Sequence, residues 1–329
     1  MAPFSGPSLV APDHGRTFQS RRAVYFCLLQ LTATSLNSCL RGILYPGNNV
    51  KSCFTNWASS GIGLALAKHL LAKSWLVVMA DIKEPEKLED LPCERAIFVK
   101  ADAGAYYDQA NLFDKAFKWR GRLDFAALNA GIDDRDDTFA SINARSPPTK
   151  LDMSTFGVDL LGVYYGIKLF AHYASKKKNH IPGGKIVVTA SVEGFYPNAG
   201  LPQCGAAKHG VVGLVRCLAP VSAPHNITIN AIAPSLVAMG LAPSGILSKF
   251  PKELITPMET IMRAYDELTD ESLNYNREVV EGNIDSLYYH KPPRLVAPSM
   301  NPDRSREALE MWVDAYVGRN KKFVQENAC

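Results

Sequence analysis

The sequence predicts an α/β protein: a doubly wound, mostly parallel sheet in a single domain with a C-terminal helical extension. Three observations carry that prediction. From about residue 50, short apolar runs alternate with longer stretches of helical period, the pattern of repeated βαβ units. The apolar runs hold Val, Ile, Leu or Phe on consecutive positions, as strands covered on both faces do. A glycine turn also runs straight into the first helical stretch.

In chain order, strands are expected at Trp75–Ala80, Ala96–Ala101, Leu123–Leu128, Lys185–Ala190 and Ile227–Ile232. Between them, Ile62–Lys73 sets Ile62, Ala65 and Leu70 at helical spacing, and Tyr107–Trp119 and Phe156–Ser175 repeat that period, which makes these the crossover helices. A further strand near Asn283–Tyr289 fits the sheet edge. Thr256-Pro257-Met258-Glu259 joins a capping residue, a first-turn proline and a reciprocal glutamate, so a helix should begin there. Asn301-Pro302 opens another, whose Leu309, Trp312, Val313, Tyr316 and Val317 form an apolar stripe expected to pack back on the domain. The segment Met239–Phe250 is apolar and suited to a lid.

Three regions follow: residues 1–50 as an atypical extension, 51–293 as the nucleotide-binding domain, and 294–329 as a helical tail. No acidic residue stands between Asp13 and Asp81, and Arg16, Arg21 and Arg22 precede the apolar run Ala23–Leu31. That run is too short to span a bilayer. The segment reads as a poorly ordered extension, with a mitochondrial targeting peptide as the alternative to a cytoplasmic chain.

A chain of 329 residues that is 47% hydrophobic and 21% charged can bury a large core. Its net charge of +4, from 36 basic and 32 acidic residues, is too balanced to argue for a nucleic-acid or membrane-surface partner. The seven cysteines form no CxxC pair and no Cys/His cluster, which argues against zinc and against a disulfide framework.

"ASSGIGLALAKHLLAKSWLVVMAD" carries the first chemistry. Gly61 and Gly63, with Ser60 and Ile62, let backbone amides approach a pyrophosphate at the positive end of a helix, and Asp81 is placed to accept from an adenosine ribose. An acid there repels a 2′-phosphate, so NAD is expected in preference to NADP. Asp102 in "VKADAG" suits either an adenine amino group or a turn cap, and Asn129-Ala130-Gly131 ends the next strand on the ligand-binding edge.

Glycine turn, Asp81, Asp102, "NAG", a strand-ending serine and a lysine on the next helix together resemble the classical short-chain dehydrogenase/reductase family with its Rossmann fold. The resemblance covers roughly Lys51–Pro234. Within the family, "GVYYGIKL", "VVTASVEG" and "AAKHGVVGLVR" look like the group of 15-hydroxyprostaglandin dehydrogenase and its fungal members, many of which belong to secondary-metabolite pathways. The resemblance implies that Ser191 orients a substrate oxygen and that Lys208 holds the nicotinamide ribose. It also implies a homodimer or homotetramer, formed through the helix from Phe156 and the helix of Lys208.

Several positions depart from the family pattern, Ser235 and Met239 after the last inner strand among them. The proton-exchanging tyrosine is replaced by Cys204, the relay asparagine by Asp159, and the threonine-glycine pair of the phosphate loop by Asn56-Trp57. A thiol beside a lysine is expected to have a lowered pKa but to fall short of the substrate oxygen. Tyr196 is the phenol on the neighbouring loop that would stand in, pocket lining being its plainer role. The expected function is therefore NAD(P)-dependent oxidation or reduction of a secondary alcohol or ketone with impaired proton transfer. A dinucleotide-binding scaffold, or a non-redox step, is the alternative.

Overall fold

A computed structural model describes residues 50–56, 58–176, 181–240, 245–294, 307 and 310–319. The chain forms two compact units, Met1–Gly42 and Ile43–Cys329, and the first lies outside the described residues. Trp57, Asn301, Pro302 and Leu309 lie outside them as well.

The second unit is built on one eight-stranded sheet in the order β3-β2-β1-β4-β5-β6-β7-β8. Its strands are β1 (Ser52–Asn56), β2 (Leu76–Asp81), β3 (Ala96–Lys100), β4 (Phe125–Leu128), β5 (Gly184–Thr189), β6 (Ile227–Pro234), β7 (Val279–Asn283) and β8 (Ser286–Tyr289). All neighbours run parallel except β7 and β8. The helices are α1 (Gly61–Ala72), α2 (Tyr106–Arg120), α3 (Val163–Ala174), α4 (Pro202–Ser222) and α5 (Met258–Thr269). A single α-turn, Ser154–Phe156, and a π-helical stretch, Gly157–Gly162, lead into α3.

Alternate residues of each buried strand face opposite layers. Phe54, Val78, Leu128, Ile186 and Ile229 pack with Phe113, Phe170, Val211 and Val215 of α2, α3 and α4. Cys53, Val77, Phe125, Val187 and Ile232 pack with Leu66, Leu70, Ile261 and Leu268 of α1 and α5. Two covered faces explain the unbroken apolar runs.

The structure adds two strands to those expected, β1 and β7, and corrects two expectations. The strand β1 carries Ser, Thr and Asn among its five residues, all buried, so it lacks the apolar run that marks its neighbours. The edge strand expected near Asn283–Tyr289 is β8, and it forms a hairpin with the unforeseen β7 through a turn at Ile284 with a positive φ of 54°. Thr256 does not cap α5: its hydroxyl accepts from the Ile284 N–H at 3.0 Å, and Pro257 occupies the cap position. The helical stretch 310–319 leaves Trp312 70% and Val313 46% exposed rather than packing its stripe. Among the described residues, no helix is long and apolar enough to cross a membrane.

The π-helical stretch is held against the loop after β3 by the buried Gln109, whose Nε2 donates to Ala103 O at 2.5 Å and to Gly162 O at 2.8 Å. Backbones touch here, since a Cβ on Gly162 would lie 2.5 Å from Ala103 O. Gly162→Ala is therefore expected to destabilise the fold by about 1–3 kcal/mol, as overpacking against a rigid group does. Urea unfolding checks this, and an unchanged midpoint would contradict it.

Candidate active site

The C-terminal edge of the parallel strands gathers the residues singled out by sequence. At the first crossover, α1 begins after Ser60, whose extended backbone provides no side-chain cap, and its first turn holds no acid. The leading amides are thus available to an anion. Gly61 has a φ of +52°, a left-handed conformation that favours glycine, and Met239 Sδ would lie 3.3 Å from a Cβ there. The start of the expected lid therefore sits over the glycine turn. Residues 241–244 lie outside the described residues, and Ile246 and Phe250 are exposed.

Asp81 ends β2, buried, with Oδ2 accepting from the Ser59 N–H at 3.1 Å and Oδ1 from the Lys83 N–H at 3.2 Å. Each carboxylate oxygen has a second lone pair, so two ribose hydroxyls can still be received. The exposed Asp102 caps its own turn, Oδ1 accepting from the Gly104 N–H at 2.8 Å.

Asn56 takes up a duty that sequence reasoning did not assign to it. Its Oδ1 accepts from the N–H groups of Asn129 and, at 2.9 Å, of Ala130. The end of β4 is thereby pinned to the end of β1. Asn129 Oδ1 in turn accepts from Thr189 Oγ1 at 2.9 Å, and Thr189 Oγ1 meets the Tyr265 hydroxyl at 2.9 Å. This buried polar chain ties three strand ends together.

Ser191 directly follows Ala190 beyond β5 and opens the short helix Val192–Gly194, its Oγ accepting from the Glu193 N–H at 3.1 Å. Cys204 and Lys208 stand one turn apart near the start of α4. That start is capped from outside the helix. The Asp134 carboxylate accepts from the Gln203 N–H at 2.7 Å and from the Cys204 N–H at 2.8 Å. The acidic run "IDDRDD" after "NAG" was the available signal for this cap, but nothing in spacing links it to residues seventy positions on.

Asp159 comes off the π-helical stretch, 1% exposed, and Lys208 is 5% exposed. Lys208 Nζ lies 3.1 Å from Asp159 Oδ2, an ion pair whose angle misses hydrogen-bond geometry, and donates to Thr189 O at 3.1 Å. Asp159 Oδ1 accepts from the Ile132 N–H at 2.7 Å. A Cβ on Gly131 would lie 3.0 Å from Asp159 Oδ2 and 3.2 Å from Lys208 Nζ, so any side chain there would crowd the pair.

The thiol does not behave as its lysine neighbour suggests. Burial pushes Cys204 up to about 11; Lys208 opposes this, but Asp159, Asp134 and Glu193 all add to the rise. The thiol is therefore protonated at neutral pH, the reverse of the expected lowering. Tyr196 is also held away from acid/base duty. Its hydroxyl donates to Glu281 Oε2 at 3.3 Å, and that carboxylate raises the phenol pKa. Glu281 is buried, is paired with His290 Nε2 at 2.7 Å, and His290 stacks on Phe195 at 4.0 Å.

Residues 57–244 match the short chain dehydrogenase family. The chain is 33% identical over 242 residues to the short-chain dehydrogenase/reductase prx6 of Penicillium rubens, covering 71% of this chain and 80% of that protein. It is 34% identical over 218 residues to prx7 of the same fungus, covering 64% and 77% respectively. Among solved structures, it is similar in fold to the 3-ketoacyl-(acyl-carrier-protein) reductase from Brucella melitensis complexed with NADH, with a TM-score of 0.61 at 22% identity over 71% of this chain and 96% of that one. Levodione reductase gives a TM-score of 0.60 at 22% identity over the same shares. With more than half of its residues matched by one family, and fungal relatives covered over more than two thirds of their length, the chain belongs to the short-chain dehydrogenase family of oxidoreductases.

Proposed function

We propose that this protein uses a nicotinamide dinucleotide, NAD in preference to NADP, to interconvert a secondary alcohol and a ketone on an apolar small molecule, with slow proton transfer. The observation that carries the reading is the convergence of an uncapped α1 N-terminus, Asp81, Ser191 and Lys208 on one sheet edge. The NADH complex of the Brucella melitensis reductase, a neighbour in fold, is consistent with it. When bound, the dinucleotide supplies or accepts the hydride. Asp81 and the amides of Gly61, Ile62 and Gly63 would hold its adenosine and pyrophosphate, and Lys208 its nicotinamide ribose.

The chain's own contribution to the step is orientation more than proton exchange. Ser191 receives the Glu193 N–H on its oxygen, which leaves its own O–H free for a substrate oxygen. Cys204 replaces the phenol with a short, protonated thiol, and Asp159 takes up much of the Lys208 charge. The same reading carries a homo-oligomer, supported by the exposed Leu161 and Tyr164 beside and on α3.

NADH should bind at least about tenfold tighter than NADPH, because a carboxylate at Asp81 opposes a further phosphate. Nicotinamide fluorescence measures both, and a tighter NADPH complex would reverse the assignment. Cys204→Tyr should raise turnover on a panel of ketones by roughly 10²–10⁴, the usual worth of a positioned acid. No gain in a folded variant would mean that the loss lies elsewhere. Alkylation of Cys204 by iodoacetamide, followed by mass spectrometry, should rise with pH to a midpoint of about 11 instead of the ordinary 9.0, because the folded environment favours the protonated form.

A further inference from the structure

Glu281 lies buried in β7, and three donors converge on it. Its Oε2 accepts from the Tyr196 hydroxyl at 3.3 Å and from His290 Nε2 at 2.7 Å, while its Oε1 accepts from Asn283 Nδ2 at 2.9 Å. A carboxylate is acceptor-only, so the imidazole must donate through Nε2. A glutamine here would offer one acceptor oxygen and turn its NH2 group on the remaining donors.

Two of those donors come from different parts of the fold. His290 follows β8, and Tyr196 belongs to the segment Val192–Leu201 that joins Ser191 to α4. Among the described residues, the hydrogen bonds of Phe195–Gly200 otherwise close within that segment. The Phe195 and Tyr196 N–H groups both donate to Val192 O at 2.9 Å, Asn198 Nδ2 to Glu193 Oε1 at 3.1 Å, and the Gly200 N–H to Asn198 Oδ1 at 2.9 Å. The bond that leaves the segment runs from Tyr196 to Glu281, and the His290 ring adds a stack on Phe195 with 4.0 Å between centroids. The start of the segment rests on the site itself: a Cβ on Gly194 would lie 3.0 Å from Lys208 O, and one on Gly205 would lie 3.9 Å from Glu193 O.

Burying a carboxylate costs stability, and an apolar residue of similar size would avoid that cost. We propose that Glu281 is a positioning residue: by gripping Tyr196 and His290 together it latches the segment Val192–Leu201 to the hairpin β7–β8, and so holds the turn of Ser191 against the α4 face of Cys204 and Lys208. The latch acts through Tyr196; its purpose, to fix one wall of the substrate site, rests on the redox reading above.

The test compares the full chain as wild type, Tyr196→Phe, Glu281→Gln and the double variant. Tyr196→Phe removes one hydroxyl from an exposed side chain, and it alone decides should Glu281→Gln not fold. Hydrogen exchange at the amides of Phe195–Leu201 should quicken roughly ten- to a hundredfold in either single variant, the worth of a hydrogen bond to a charged group, with the amides of α2 unchanged. Alkylation of Cys204 by iodoacetamide should quicken alongside, and its pH midpoint should move from about 11 towards the ordinary 9.0, because burial is the largest cause of the rise. Both changes cut the same contact, so the double variant should exceed the faster single one by less than about threefold. A glutamate that only stabilises the fold would leave Tyr196→Phe silent and give additive effects. Either result, unchanged exchange and alkylation in Tyr196→Phe or full additivity, overturns the latch. NADH fluorescence titrations should agree across the four proteins, since no dinucleotide-anchoring residue is altered. A wild type that binds no NADH would sink the redox reading and leave the latch to be judged on exchange and alkylation.

Discussion

The ion pair of Lys208 and Asp159 is the interaction around which the site is arranged. Both groups are almost wholly buried, and burying charge is tolerable only when each partner is matched and its remaining valences are filled. The matching is visible in the backbone: the Ile132 N–H and Thr189 O complete the pair, and Gly131 makes room for it. The π-helical stretch brings Asp159 to this place, and Gly162 lets that stretch lie against Ala103. Removing either partner leaves an uncompensated charge, at a cost of about 3–5 kcal/mol.

A second consequence is electrostatic. In a site where the lysine is already paired, the neighbouring thiol feels burial and three carboxylates more than it feels one ammonium. The residue one turn before Lys208 thus holds a small, neutral group. The Ser191 hydroxyl still stands free beside it. The buried chain of Asn56, Asn129, Thr189 and Tyr265 keeps the strand ends in register. Asn56 shows that a departure from a family motif need not be a defect, because its amide oxygen serves the two N–H groups that end β4.

Asp134, Asp159 and Glu281 are consumed by the fold: one caps α4, one balances a lysine, and one joins the loop of Tyr196 to the hairpin β7–β8. Glu193 Oε2 and Asp159 Oδ2 are both buried without a hydrogen bond, the second facing the Lys208 ammonium at 3.1 Å.

The sequence by itself determined the fold class, the crossover helices, five of the strands to within about two residues, and the gathering of Ser60, Gly61, Gly63, Asp81, Ser191 and Lys208 at strand and helix ends. Those features follow from local physics: apolar periodicity, glycine conformations and charge at helix ends repeat within a few residues. Tertiary structure alone decided the partners of Asn56 and Asp134, the direction of the Cys204 shift, the pairing of Tyr196 with Glu281 and the use of Thr256 in a hairpin. Each depends on groups far apart in the chain meeting in a low-dielectric interior, where distance in space, and not order along the backbone, sets which charge or donor a side chain feels.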